Sequence, residues 1–320
     1  MEITAGIDFG GTSTKIGLVD GTGRIVGRTQ VAVDATQSFE GIVDPVVEAL
    51  RALLRTEGHE ASLGAIGIGT PGFIDKKDGT LIGGCNNIRS LQKRSVQEYL
   101  QRAFGVPAFA DNDATCAAAG ELLFGAGRRF SSFVLITLGT AIGGGLVLDG
   151  RVYRGWRGFA GEIGHLCVNP HGLWCDCGSQ GCFEMYASGT AIARVYTEKA
   201  RKRGATVPGG VQPRQVVELA RDGDVCARDT LEETGEWIAQ AFGSILNILD
   251  LEACLVGGGV SEAGEAILEP IRRRLPDHCW PQVGSGVTVV AAALRNDAGI
   301  LGAAAQALER LSGSPVAARA

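Results

Sequence analysis

Between Gly161 and Glu184 the chain reads GEIGHLCVNPHGLWCDCGSQGCFE, and three of its nine cysteines, Cys175, Cys177 and Cys182, fall there within eight residues. His165 stands ten residues upstream of the first. Gly178 and Gly181 let the backbone turn back so that three sulfurs can converge on one point. Three thiolates and one imidazole form a Cys₃His set, which is common in structural zinc sites. The spacing is not a C-x₂-C knuckle, so the expectation of a metal rests on the clustering and the glycines. The plain alternative is three reduced cysteines in a loop. His171 and Cys167 are rival ligands on the same stretch. Two carboxylates, Glu162 and Glu184, bracket the set, and a metal there would hold both relative to His165.

A second kind of chemistry is written in glycine. Three clusters follow apolar runs: Gly10-Gly11-Thr12, Gly139-Thr140 with Gly143–Gly145, and Gly257-Gly258-Gly259. Glycine lets backbone N–H groups approach phosphate oxygens closely, and such turns form anion-binding nests. None is a Walker A loop, because no G-K-[ST] follows, and the first two lead into strands rather than helices. One such cluster reads as a hairpin turn; three spaced along the chain favour a nucleotide held between two halves.

Two aspartates sit at strand ends. Asp8 precedes the first glycine cluster, where a carboxylate could hold Mg²⁺ near phosphates through water; a turn aspartate reads equally well from local sequence. Asp113 stands in Asp111-Asn112-Asp113, between an apolar run and an alanine-rich one. It could cap the helix that follows, the better local reading. It could also point into a cleft as a general base, since ligands bind at strand ends in α/β sheets.

These residues need strands and helices to carry them. Ile3–Asp20 and Phe133–Asp149 both read as strand, glycine turn, strand, a weak internal repeat that suggests two related α/β halves. Helical spacing marks Phe39–Leu54, Val96–Phe104, Ala114–Phe124, roughly Phe183–Arg203, Pro213–Ala220, Cys226–Leu249, Ile267–Leu275 and Ala298–Leu311. Short strands are expected at Leu63–Gly69, Val106–Ala110, Ala253–Val256 and Val287–Ala291.

Composition bounds the rest. The 320 residues are 45% hydrophobic and 20% charged, with 48 glycines, a globular balance sufficient for about two domains. A net charge of −5 without a long basic run argues against nucleic acid as a partner. The opening MEITAGIDFGG carries no signal-peptide pattern, and no apolar run is long enough to span a bilayer. Nine scattered cysteines fit a reducing cytoplasm better than a disulfide framework.

The segments IDFGGTSTKIGLVD, GIGTPG, DNDATCAAAGE, LGTAIGGG, GEIGH, CDCGSQGCFE and LVGGGVS occur in an order that resembles the ROK family (repressors, open reading frames, kinases). The likeness runs from about residue 3 to 311, and the cysteine block after GEIGH is its most specific part. The resemblance implies two related actin/hexokinase-like (ribonuclease H-like) α/β domains with an interdomain cleft. The first would span 1–113 plus about 299–320, and the second, with the zinc site, 114–298. It also implies an ATP-dependent sugar kinase with Mg²⁺ and a structural Zn²⁺ on His165, Cys175, Cys177 and Cys182. Asp113 looks like the catalytic base. Gly72, Asn87, Asn112, Glu162, His165 and Glu184 look like the sugar contacts beside it. Asp8, Gly10, Gly11, Thr12, Lys15, Gly139, Thr140, Gly257 and Gly258 look like the ATP positions. Phe9 stands where an aliphatic residue is common in the family, and Ala141 where glycine is. Neither touches this chemistry.

The expected reaction is in-line transfer of the ATP γ-phosphate to the 6-hydroxyl of a hexose, glucose first, with Asp113 taking the proton and domain closure excluding water. N-acetylmannosamine, N-acetylglucosamine and other hexoses are alternative acceptors. A repressor of the same family would carry a helix-turn-helix before the first hairpin, which here begins at residue 3. A non-catalytic sugar sensor is a further alternative, against which the retained Asp8 and Asp113 speak. The resemblance suggests a homodimer.

Overall fold

Each glycine hairpin becomes the antiparallel start of a sheet. The computed structural model describes residues 2–85, 88–207 and 209–312. Its first half runs β1 (Ile3–Phe9), β2 (Ser13–Val19), β3 (Ile25–Ala32), α1 (Phe39–Thr56), β4 (Leu63–Thr70), β5 (Phe73–Ile74), β6 (Leu81–Gly83), α2 (Val96–Phe104), β7 (Ala108–Asn112) and α3 (Asp113–Phe124). Then come β8 (Phe133–Leu138), β9 (Ile142–Leu148), β10 (Arg151–Tyr153), α4 (Glu184–Ala187), α5 (Gly189–Lys202), α6 (Pro213–Arg221) and α7 (Val225–Leu249). The chain ends with β11 (Ala253–Gly257), α8 (Glu265–Arg274), α9 (Pro281–Gly284), β12 (Thr288–Ala291) and α10 (Ala298–Ser312).

The two main sheets repeat one pattern. The first has the order β3-β2-β1-β4-β7 and the second β10-β9-β8-β11-β12. In the first, β1 pairs antiparallel with β2 and parallel with β4, which pairs parallel with β7. In the second, β11 lies parallel to both β8 and β12. Parallel strands need helical crossovers, and the apolar runs of β1, β4, β8 and β11 are buried accordingly. No described helix is long and apolar enough to cross a membrane.

The chain divides into two compact units, residues 1–131, 145–161 and 296–320 in one, and 132–144 and 162–295 in the other. This differs from the expected boundary after residue 113. The physical reason is α10, which returns to the first sheet and packs on α3, so that α3 stays with the first unit.

Helix α10 can do this because glycine removes the side chains beneath it. A Cβ on Gly6 of β1 would come within 2.1 Å of the Ile300 carbonyl oxygen, and one on Gly67 of β4 within 1.7 Å of that of Ala303. The helix therefore lies directly on the strands, and Gln306 Nε2 donates to the Phe109 carbonyl of β7 at 2.5 Å. The helix expected over 183–203 is broken at Ser188. That residue is extended, and its Oγ accepts the Ala191 N–H, ending α4 and capping α5.

Candidate active site

In the first unit the site residues gather at the C-terminal ends of three neighbouring parallel strands. Asp8 lies level with Gly69 of β4, Gly69 with Asp111 of β7, and Thr70 with Asn112. Strand ends of this kind are where α/β folds place ligands. The first turn of α3 shows which residue caps it. Asn112 is the cap: its Oδ1 accepts the N–H groups of Ala114 and Thr115 at 3.0 and 3.1 Å. Its Nδ2 donates to the Gly72 carbonyl at 3.3 Å. Asp113 is the first helical residue, and one of its oxygens, Oδ1, accepts the Ala114 N–H at 2.8 Å. Its side chain reaches solvent, yet burial in the surrounding protein pushes its pKa up, against the pull of the backbone N–H groups of Ala114 and of Asp113 itself.

Burial, then the charge of Asp113, pushes Asp8 up to about 6, while Lys15 pulls it down. Lys15 lies directly across the hairpin from Asp8. The carboxylate of Asp8 rests on the first turn of α10, where a Cβ at Gly299 would come within 2.1 Å of Oδ2. Gly72 has φ +97°, and a Cβ there would lie 2.4 Å from the Gly83 carbonyl. Only glycine meets both demands while offering its carbonyl to Asn112. Gly10 closes its turn by donating to the Ser13 carbonyl at 3.1 Å, leaving Gly11 and Thr12 exposed at the tip. Asn87 lies outside the described residues.

In the second unit the 162–184 stretch forms an irregular loop around its cysteines. The ligand atoms of His165, Cys175, Cys177 and Cys182 all lie within 4.8 Å of one another. Cys177 Sγ is 3.5 Å from Cys182 Sγ, and Cys175 Sγ is 3.7 Å from His165 Nδ1. With Zn–S bonds of ~2.3 Å, a tetrahedral shell has ligand edges of roughly 3.7 Å, so the set fits a metal. A disulfide between Cys177 and Cys182 would need a sulfur separation of about 2.05 Å. Burial opposes ionisation of Cys177, but the Ser179 N–H and the neighbouring thiols of Cys175 and Cys182 bring it down to about 7. Cys167 turns its thiol to the Gln180 carbonyl at 3.5 Å, and neither it nor His171 joins the set.

The histidine faces two ways. Nδ1 looks into the cysteine set, and Nε2 lies 3.9 Å from Glu162 Oε2. Glu184 Oε1 lies 3.0 Å from Cys175 Sγ and 3.5 Å from His165 Nδ1, so this carboxylate sits against the cysteine set itself. Two glycine turns complete the unit. Gly139 donates to the Ala141 carbonyl at 3.0 Å and accepts from Gly189 at 2.8 Å, leaving Thr140 exposed. Gly257 ends β11. Gly258 has φ +81°, and a Cβ there would meet the Leu138 backbone at 2.5 Å.

Three residues that the sequence reading passed over belong to this picture. Asp111 is buried beneath the junction, Arg154 is ion-paired to it at 2.5 Å, and Gly299 supports Asp8. The only sequence signal was the adjacency of Asp111 to Asn112; nothing in the spacing of Arg154 or Gly299 links them to the site.

The chain belongs to the ROK family, whose model matches residues 4–310. It is 35% identical to a glucokinase of Streptomyces coelicolor over 97% of this chain and 98% of that protein. It is 34% identical to a glucokinase of Thermotoga maritima over 96% and 98%. Among solved structures it resembles a ROK family glucokinase from Streptomyces griseus in complex with glucose and AMPPNP. The TM-score is 0.81 and the identity 36%, over 96% of this chain and 99% of that one. The architecture is that of the hexokinase/actin-like ATPase fold.

Proposed function

We propose that this chain is an ATP-dependent hexose kinase, a glucokinase, that transfers the ATP γ-phosphate to the 6-hydroxyl of glucose. Full-length likeness to glucokinases at 34–36% identity supports the class and the substrate. The observation that carries the mechanism is the division of labour at the start of α3. Asn112 caps the helix with its Oδ1, so Asp113, whose Oδ1 accepts the Ala114 N–H, does not carry the cap.

Asp113 then accepts the proton of the attacking sugar hydroxyl, and its raised pKa makes it a better base than an ordinary aspartate. Asn112 and Gly72 orient the sugar beside it, together with Asn87, Glu162, His165 and Glu184. The exposed turn amides at Gly10–Thr12 and Gly139–Thr140, with Gly257–Gly258, cradle the phosphates. Asp8 would help to hold the Mg²⁺ that accompanies ATP, which would neutralise phosphate charge there, and Lys15 lies across the hairpin from it. Zinc on His165, Cys175, Cys177 and Cys182 would serve as a structural crosslink. Four protein ligands leave no open position for chemistry, and the metal would fix the His165 tautomer. The protein acts as a homodimer in the cytoplasm, where ATP and reduced thiols are at hand.

A panel of hexoses and N-acetylhexosamines in a coupled ADP-release assay tests the reading, with phosphorus NMR of the product. The expected result is glucose as the best acceptor and glucose 6-phosphate as the product. A 1-phosphate, or turnover only with an N-acetylhexosamine, overturns the assignment. Binding of sugar without ADP release would mark a sensor instead.

A further inference from the structure

Arg154 follows β10 and is partly buried, its side chain 12% exposed. Its guanidinium joins three parts of the first unit. Nε donates to Asp111 Oδ2 at 2.5 Å, Nη2 to Glu309 Oε2 at 2.8 Å, and Nη1 to the Val152 carbonyl at 3.4 Å. Asp111, 5% exposed, uses its other oxygen to accept the backbone N–H of Asn112 at 3.0 Å. Arg310 Nη2 stands 3.7 Å from Asp111 Oδ2. One line of contacts therefore runs from Glu309 near the end of α10, through Arg154 and Asp111, to the backbone of the residue that caps α3. Asp113 is the next residue along.

We propose that Arg154 is a positioning residue for phosphoryl transfer, fixing the β7–α3 junction so that the Asp113 carboxylate stays on the reacting hydroxyl. The proposal rests on the reading of Asp113 as the base. Its physical basis is the buried charge of Asp111. Without Arg154 the carboxylate keeps only the more distant Arg310, at 3.7 Å, as a cationic partner, and a buried carboxylate so weakly paired must draw in water or a proton. Asp111 sits directly under the junction, so either response changes the bond it makes to the Asn112 N–H and loosens the first turn of α3. The planar fork of arginine serves two carboxylates in fixed directions, which the single ammonium of lysine does not reproduce. A misplacement of a reacting group by about 1 Å is enough to cost on the order of 10²-fold in rate.

The test uses the full-length protein with Arg154→Met, Arg154→Lys, the double variant Arg154→Met/Asp111→Asn, and Asp113→Asn in parallel. Cooperative melting selects the variants that fold. Expected for Arg154→Met is a fall in kcat of about 10²-fold with the KM for ATP within about twofold. Guanidinium ion at millimolar concentration should restore several-fold of the lost kcat, as it can reoccupy the site between Asp111 and Glu309. Arg154→Lys should fall between parent and Met variant. The double variant removes both charges; it should recover melting temperature but not kcat, and it replaces the single variant as the readout if that one does not fold. A folded Arg154→Met with kcat within about twofold of the parent overturns the proposal. So does activity that merely tracks the folded fraction and ignores guanidinium, since that marks a structural ion pair. If Asp113→Asn itself keeps near-normal kcat, the base assignment fails and this proposal with it. An inactive Asp113→Asn beside a normal Arg154→Met rejects the positioning role alone.

Discussion

The β7–α3 junction and the 162–184 loop both present carboxylates and polar groups to solvent, but they are held by different physics. The junction grows out of a parallel sheet with a helix laid directly on it, and the backbone N–H, Oδ1 and Nδ2 of Asn112 all have protein partners at ordinary distances. The loop contributes no strand to either sheet; among the described residues its regular structure is one 3₁₀ turn at Ile163–His165 and isolated bridges such as Cys167 with Cys182 and Trp174 with Gln180. Where backbone pairing is sparse, a four-ligand set can supply the crosslinks that packing does not. On the proposed function, rigid elements would position Asp113, and a metal crosslink would position His165. The two regions should fail differently when perturbed.

The largest effect is expected at the junction. Asp113→Asn keeps the shape and can still accept the Ala114 N–H, but an amide cannot take a proton. Turnover should fall ~10²–10⁴-fold while glucose affinity, measured by calorimetry, stays near the parent value. Near-normal kcat would reduce Asp113 to a helix residue without catalytic duty. The corresponding break in the loop is Cys177→Ala. It should lose zinc by elemental analysis and weaken glucose binding by about 10–100-fold, the range seen when supports around a metal site are lost. ATP affinity and the overall melt should change little, because the loop is not part of either sheet. Unchanged glucose affinity in the zinc-free variant would show that the loop stands without its crosslink.

The same contrast decides how much could be read from sequence. The cysteine set was legible because its members are neighbours in the chain, and so were the two hairpins, whose glycine turns and apolar alternation are local signals. The strands and helices that carry Asp8 and Asp113 were legible for the same reason. Which residue caps α3 was not, since capping and catalysis ask for the same residue types; only the first-turn geometry gives the cap to Asn112. The break at Ser188 was hidden because helical periodicity continues on both sides of it. Arg154 and Glu309 are 155 residues apart, and Gly299 meets Asp8 only once α10 has folded back. A contact of that separation leaves no trace in local spacing. The register of α10 against Gly6 and Gly67 was invisible likewise.

Gly299→Ala probes that returning helix at the site. An added methyl would fall 2.1 Å from Asp8 Oδ2, and with helix backbone on one side and strand on the other the carboxylate must rotate away. Alanine is otherwise the better helix former, so the fold should hold. The expected outcome is about a tenfold loss in kcat/KM for MgATP with glucose affinity retained. An unchanged kcat/KM for MgATP would remove Asp8 from the nucleotide site. A fall in glucose affinity instead would tie α10 to the sugar.

The smallest effect is in stability, and it separates what a residue does for the reaction from what it does for the fold. The Asp8 carboxyl is raised to about 6 from an ordinary 3.8, by burial first and then by Asp113. In the unfolded chain the group ionises near its ordinary value, so between the two pH values the folded state holds the extra proton. Its contribution to stability is therefore fully present below about 3.8 and is lost as pH rises through about 6. At neutral pH the folded protein bears the cost of a charge in an unfavourable place. Asp8→Asn removes that cost. Since Asp8 is partly solvent-accessible and Lys15 is near, the gain should be only on the order of 1 kcal/mol, or ~2–4 °C in Tm, at pH 7.5. It should shrink towards zero at pH 4, where the parent carboxyl is protonated in the folded state. Activity should run the opposite way: the Asn variant loses turnover at every pH, and the parent loses it as pH falls through about 6. Differential scanning calorimetry of parent and variant across that range checks the sign. A variant less stable than the parent at pH 7.5 would mean that ionised Asp8 is held by favourable contacts. The junction would then be stabilised by the same charge that it uses for the reaction.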